Sequence, residues 1–144
     1  MTPDELHARY RAEIDKRGSN DKYIDSVEER ELMQIAIQHG FPLERARGFV
    51  VDVCREKGYV IEATLVQAIR EKLKSQARPD GTIDRGGFRE VVRQVLPNVA
   101  NTTRSNSDVL QLVVNTMDDS GIRHVKKWWH PDWYSRLKKQ IGLN

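Results

Sequence analysis

Apolar residues recur at intervals of three and four along most of this chain, the spacing that gathers side chains on one face of an α-helix. The pattern is cleanest in Phe88, Val91, Val92, Val95 and Leu96, which predict a helix over about 87–96 stopped by Pro97. Leu65, Ile69 and Leu73 predict another over about 62–76. Leu43, Ala46, Phe49, Val50 and Val53 predict a third between Pro42 and Gly58. Before it, Val27, Leu32, Ile35 and Ala36, with Met33 and Ile37 outlying, predict a helix that ends at Gly40. Ser26 and Glu29 are spaced as a capping box for that helix. The first helix opens on Thr2, Pro3 and Glu5 and ends at Gly18-Ser19-Asn20. It carries only the narrow stripe Leu6, Tyr10 and Ile14, which predicts loose packing.

The stretch from Pro97 to Ser107 is polar and turn-prone and reads as an internal linker. A helix over about 108–117 follows, ending in Asp118-Asp119-Ser120-Gly121. Beyond it the sequence predicts a short helical stretch from Ile122 and a last helix from Pro131 to about Ile141. No alternation of strands and helices is visible. The expected fold is therefore all-α, a compact bundle of about five to seven short helices with glycine-marked turns and a C-terminal helical extension. The expected division is a bundle domain over 1–121, with its core in 24–97, and a C-terminal segment over 122–144.

Composition narrows the class. The 144 residues are 38% hydrophobic and 31% charged, too apolar for a disordered chain and without an apolar run long enough to span a membrane. The N-terminus lacks the apolar core of a secretory signal, and the single cysteine, Cys54, allows no intrachain disulfide. A cytoplasmic setting is the expectation. Charge is unevenly spread. The net +3 arises from the last 23 residues, where Arg123, Lys126, Lys127, Arg136, Lys138 and Lys139 face Asp132 alone. Such a surface attracts anions or acidic protein faces.

That segment also holds all three tryptophans. Lys126, Lys127, Trp128, Trp129, Trp133, Tyr134, Arg136 and Lys139 form the candidate partner-binding set, with the rings as apolar anchors and the cations steering an acidic or mixed partner surface. Rings interleaved with cations also stack on unpaired bases, so single-stranded nucleic acid or an anionic surface is the alternative. A third possibility is that Trp133, Leu137 and Ile141, spaced by four, dock the last helix onto the bundle.

Other motifs carry less. Arg123, Lys126 and Lys127 followed by His130-Pro131-Asp132 resemble the basic helix and His-Pro-Asp loop of J-domains, which implies stimulation of Hsp70 ATPases. The likeness covers only 123–132, lacks the upstream Tyr-x-x-Leu-Gly signature, and Trp128-Trp129 replaces the usual approach to the loop. Read locally, His130 caps a helix, Pro131 is its first residue and Asp132 favours its positive end. Asp80-Gly81-Thr82-Ile83-Asp84 with Phe88 resembles the second half of an EF-hand loop, but Arg78 falls among the ligand positions and Gly87 replaces the final Glu. No metal is expected there. Residues 58–65 align with 81–88, which suggests that these two loops pair through a short two-residue bridge. Residues 32–51 carry a helix–turn–helix rhythm, but the second helix shows a mixed charge set with no basic surplus for DNA.

No nucleophile–base pair, metal spacing or glycine-rich phosphate loop stands out among Cys54 and the scattered histidines His7, His39, His124 and His130. The expected function is a non-enzymatic adaptor with no cofactor, binding a partner protein through an exposed helical face and the C-terminal segment.

Overall fold

A computed structural model describes residues 2–127, Trp129 and residues 132–143. Among these the fold is all-α. Seven α-helices account for most residues: α1 (Pro3–Gly18), α2 (Ser26–Gln38), α3 (Leu43–Lys57), α4 (Glu62–Gln76), α5 (Arg85–Val95), α6 (Asn106–Asp119) and α7 (Trp133–Gln140). Four two-residue strands lie in the connections: β1 (Tyr23–Ile24), β2 (Val60–Ile61), β3 (Thr82–Ile83) and β4 (Arg123–His124). A 3-10 turn spans Leu96–Val99. No described helix is long and apolar enough to cross a membrane.

The chain forms two compact units. One runs through Thr64 and takes in Asn101–Thr103, and the other comprises Leu65–Ala100 and the residues from Arg104 onward. The expected boundary at Gly121 falls inside the second unit.

In the first unit α1, α2 and α3 pack against one another. The narrow stripe of α1 is not loosely held, because Tyr10 and Ile14 are fully buried and the Tyr10 hydroxyl donates to the Leu32 carbonyl at 2.8 Å. The core joins them to Leu32, Ala36, Phe41, Val50, Val53 and Cys54. Burial pushes the Cys54 thiol up to about 11, with the Glu29 charge adding to the effect. Val27, expected inward, is exposed, as is the outlying Ile37. The α2 capping box lies one residue earlier than its sequence signal, with Asp25 accepting from the Glu28 N–H and Glu28 accepting from Asp25 in return. Asp25 is extended and follows β1, so it, rather than Ser26, stands at the point where the chain enters the helix.

The connectors pair differently from the sequence expectation. β1 runs parallel to β2, with Ile24 opposite Ile61, and β3 runs parallel to β4, with Ile83 opposite His124. The loops at 58–65 and 81–88 therefore do not join each other, and each takes a partner within its own unit. Both pairs use the same device. In β1 and β3 the residue just before the strand has positive φ, Lys22 in one case and Gly81 in the other. Its carbonyl accepts the first N–H of the partner strand, from Val60 in one unit and Arg123 in the other. The stretch from Ile122, expected to be helical, is extended for this reason. Its N–H groups at Arg123 and Val125 go to the carbonyls of Gly81 and Ile83.

Candidate functional site

The site lies in the second unit, where α5 and α7 border a groove. Asp84 caps α5, and its carboxylate accepts the Gly87 N–H at 2.7 Å. That bond, helped by Arg78 at 3.2 Å, holds the Asp84 carboxyl below its ordinary range. Gly87 is closely packed: a Cβ there would stand 3.0 Å from Cγ1 of the buried Ile83, which would have to give by a few tenths of an ångström. The helical period then sorts the next residues. Phe88 and Val92 share one edge of α5, with Phe88 buried and Val92 half-buried, while Arg85 and Arg89 share the adjoining edge and are exposed.

α7 begins at Trp133 rather than at Pro131, with Asp132 as its N-cap. The Asp132 carboxylate accepts from the Tyr134 N–H at 3.1 Å, the Ser135 hydroxyl at 2.9 Å and His124 Nε2 at 3.0 Å. Burial alone would raise its pKa, but the bonds from Ser135 and His124 outweigh burial and leave it below the ordinary carboxylate range. Trp133 and Leu137 lie one turn apart and half-buried, and Arg136 and Gln140 form the exposed edge beside them. The Trp133 indole N–H donates to the Val125 carbonyl at 3.1 Å, and its ring centroid lies 5.5 Å from that of Phe88.

Between these helices lies a groove of about 950 Å³. Its apolar surface comes from Phe88 and Val92 on α5, Leu110 on α6, Val125 after β4, and Trp133 and Leu137 on α7. Its charged rim holds Arg85, Arg89, Lys126, Lys127 and Arg136 against two carboxylates, Asp84 and Asp132. Both carboxylates already have partners within the protein, and Lys126 stands 3.8 Å from Asp132. Arg85, Arg89 and Arg136 make no ion pair among the described residues.

The predicted set divides accordingly. Lys126, Lys127, Trp133 and Arg136 meet in the groove. Trp129 is 59% exposed, with Lys127 Nζ 6.0 Å from the centroid of its ring. Lys139 is exposed but does not line the groove. Tyr134, expected as an exposed anchor, belongs to the core. It is 4% exposed and its hydroxyl donates to Asp118 at 2.8 Å and to the Val114 carbonyl at 3.2 Å. Its position on α7 explains its burial, because it lies on the flank adjoining the Trp133–Leu137 edge and its hydroxyl reaches Val114 and Asp118 of α6. Trp128, like His130 and Pro131 of the His-Pro-Asp motif, lies outside the described residues.

Sequence reasoning missed Arg85, Arg89, Val92 and Leu110. The signal available was the four-residue spacing of Arg85 and Arg89 beside Phe88 and Val92, with Glu90 already committed to Arg93 at i+3. Asp80 and Asp84, the carboxylates of the calcium-like turn, hold the loop itself: Asp80 accepts from the Thr82 N–H and hydroxyl, and Asp84 caps α5. Among the described residues no group of three or more His, Cys, Asp or Glu gathers as a metal site. In comparisons with known proteins, the chain matches no family model, no curated protein and no solved structure.

Proposed function

We propose that this protein is a non-enzymatic interaction module that receives a partner protein in the groove between α5 and α7. The observation that carries this reading is the arginine trio Arg85, Arg89 and Arg136, without an ion pair among the described residues, bordering an apolar floor. Cations left without an ion pair among the described residues, set around apolar surface still open to water, suit an interface in which the apolar centre is covered and the charged rim guides approach. The C-terminal segment supplies half of that surface, and α5 and α6 supply the rest. The alternative, single-stranded nucleic acid, draws on the exposed Trp129 and on Lys127 beside it.

The test is a photo-activatable amino acid placed at Arg89 or Arg136 in the full chain, with a second placed at exposed Lys16 of α1 as control. A protein adduct formed from the two groove positions and not from Lys16, and lost when Arg85 is also changed to Glu, is the expected outcome. Adducts formed equally from all three positions, or only with nucleic acid, would overturn the reading.

A further inference from the structure

We infer that the occupant of the groove is an acidic amphipathic peptide segment, with carboxylates against Arg85, Arg89 and Arg136 and large aliphatic side chains against Val92, Leu110 and Leu137. This rests on the partner-binding reading above and specifies the partner's chemistry.

Charge complementarity sets the sign. Five cationic side chains line the groove against two carboxylates, and those two are engaged by Gly87, Arg78, His124 and Ser135. The net field at the rim is positive, and an occupant with carboxylates at matching intervals neutralises it. Guanidinium groups pair with carboxylates in a bidentate fork, which fixes register as well as sign.

The floor decides between a peptide and a nucleic-acid strand. A strand bound without sequence preference needs successive open ring faces on which bases stack. Trp133 does not offer one freely. Its N–H is committed to Val125, and Phe88, Tyr134 and His124 surround its ring at centroid distances of 5.5, 5.5 and 5.9 Å. Around it the floor is aliphatic: Val92, Leu110, Val125 and Leu137. Branched aliphatic surface has no particular affinity for a base and fits leucine-like side chains, whose burial is favoured by the apolar area removed from water. The two walls also set a length. The lining residues run over 85–92 on α5 and 133–140 on α7, about 12 Å of helix on each at the helical rise, the length of about two turns of an occupant helix.

The test uses the full chain and a fluorescein-labelled synthetic peptide of about three helical turns, with leucines spaced three and four apart and glutamates at the remaining positions. Comparison probes are a peptide of the same composition with its leucines dispersed, the same pattern with lysine in place of glutamate, a neutral pattern with glutamine, an oligothymidine, and phosphatidylserine-containing vesicles. Fluorescence anisotropy is expected to show the acidic patterned peptide binding at least tenfold more tightly than the dispersed one. The triple variant Arg85→Glu/Arg89→Glu/Arg136→Glu is expected to weaken it at least tenfold with an unchanged circular dichroism spectrum. Arg89→Gln alone, which adds no repulsion and threatens the fold less, is expected to weaken it severalfold. Equal binding of patterned and dispersed acidic peptides would overturn the inference, since charge alone would then suffice. Binding only of the neutral or lysine peptide would overturn it and leave the partner-binding reading standing. Binding only of the oligothymidine or the vesicles would overturn both.

Discussion

The hydroxyl of Tyr134 on α7 donates to the carboxylate of Asp118 at the end of α6, 2.8 Å away, and Lys138 reaches the same carboxylate at 2.9 Å. One aromatic residue thereby ties the last helix to the interior of its unit, and burial together with the Asp118 charge raises its phenol well above the ordinary tyrosine range. The groove stands on this anchor, because Trp133 and Leu137 project from the adjoining edge of the same short helix.

Tyr134→Phe should therefore lower the unfolding free energy by about 1.5–3 kcal/mol, the range for a hydrogen bond to a charged acceptor. Tyr134→Ala should cost about 3–5 kcal/mol through lost burial and the cavity left behind. Urea denaturation of the two variants checks both values. A loss below a few tenths of a kcal/mol for the alanine variant would show that α7 contributes no such anchor.

Gly18, the last residue of α1, sits against the ring of Tyr59. A Cβ built there would stand 2.4 Å from Cδ2 of that ring, and the ring cannot swing away freely because its hydroxyl is bonded to Asp15. Glycine to alanine in a helix ordinarily stabilises by up to about 1 kcal/mol. Here Gly18→Ala should destabilise by about 1–3 kcal/mol, the range for overpacking a filled site. Thermal melting decides the sign: a variant that melts above the parent would show that the ring yields.

Asp132 makes the site sensitive to acid. Its folded pKa lies below the unfolded value near 4, so its carboxylate contributes stability that is fully present above about pH 4 and is lost as pH falls through the lowered folded value. Removing the charge with Asp132→Asn should cost stability at pH 7, and the gap in melting temperature between parent and variant should narrow steadily as pH drops below about 4. A gap that stays constant from pH 7 to pH 3 would mean that the bonds from His124, Ser135 and the Tyr134 N–H do not depend on ionised Asp132.

The helices were legible where their apolar stripes were regular. The 62–76 helix, with Leu65, Ile69 and Leu73 inward, has its expected limits, and Phe88, Val91 and Val95 form the buried face of α5 as their spacing requires. Boundaries shifted where the chain leaves a two-residue strand. Asp25 and Asp84 each follow a buried isoleucine, Ile24 and Ile83, and cap the next helix, a relation that a search for serine-led capping boxes overlooks. The loops at 58–65 and 81–88 were legible as places for a two-residue bridge, but their partners were not, because two residues carry no periodicity and which strand finds which depends on contacts between residues far apart in sequence.

The candidate site was half legible. The clustering of tryptophan, lysine and arginine near the C-terminus pointed to Lys126, Lys127, Trp133 and Arg136, which do meet. It placed Tyr134 with them only because adjacent residues look alike in sequence, although on a helix neighbours point about 100° apart and fall on different faces.

Composition and spacing alone determined the all-α class, most helix positions and the location of the excess positive charge, because helical period and side-chain polarity are local properties that each segment carries with it. Tertiary structure decided the pairing of β1 with β2 and β3 with β4, the burial of Tyr134, and the meeting of Arg85 and Arg89 with Arg136 across an apolar trough. Those outcomes depend on which faces are covered when distant segments pack, and a face's exposure is a property of the assembled unit rather than of the residues that line it.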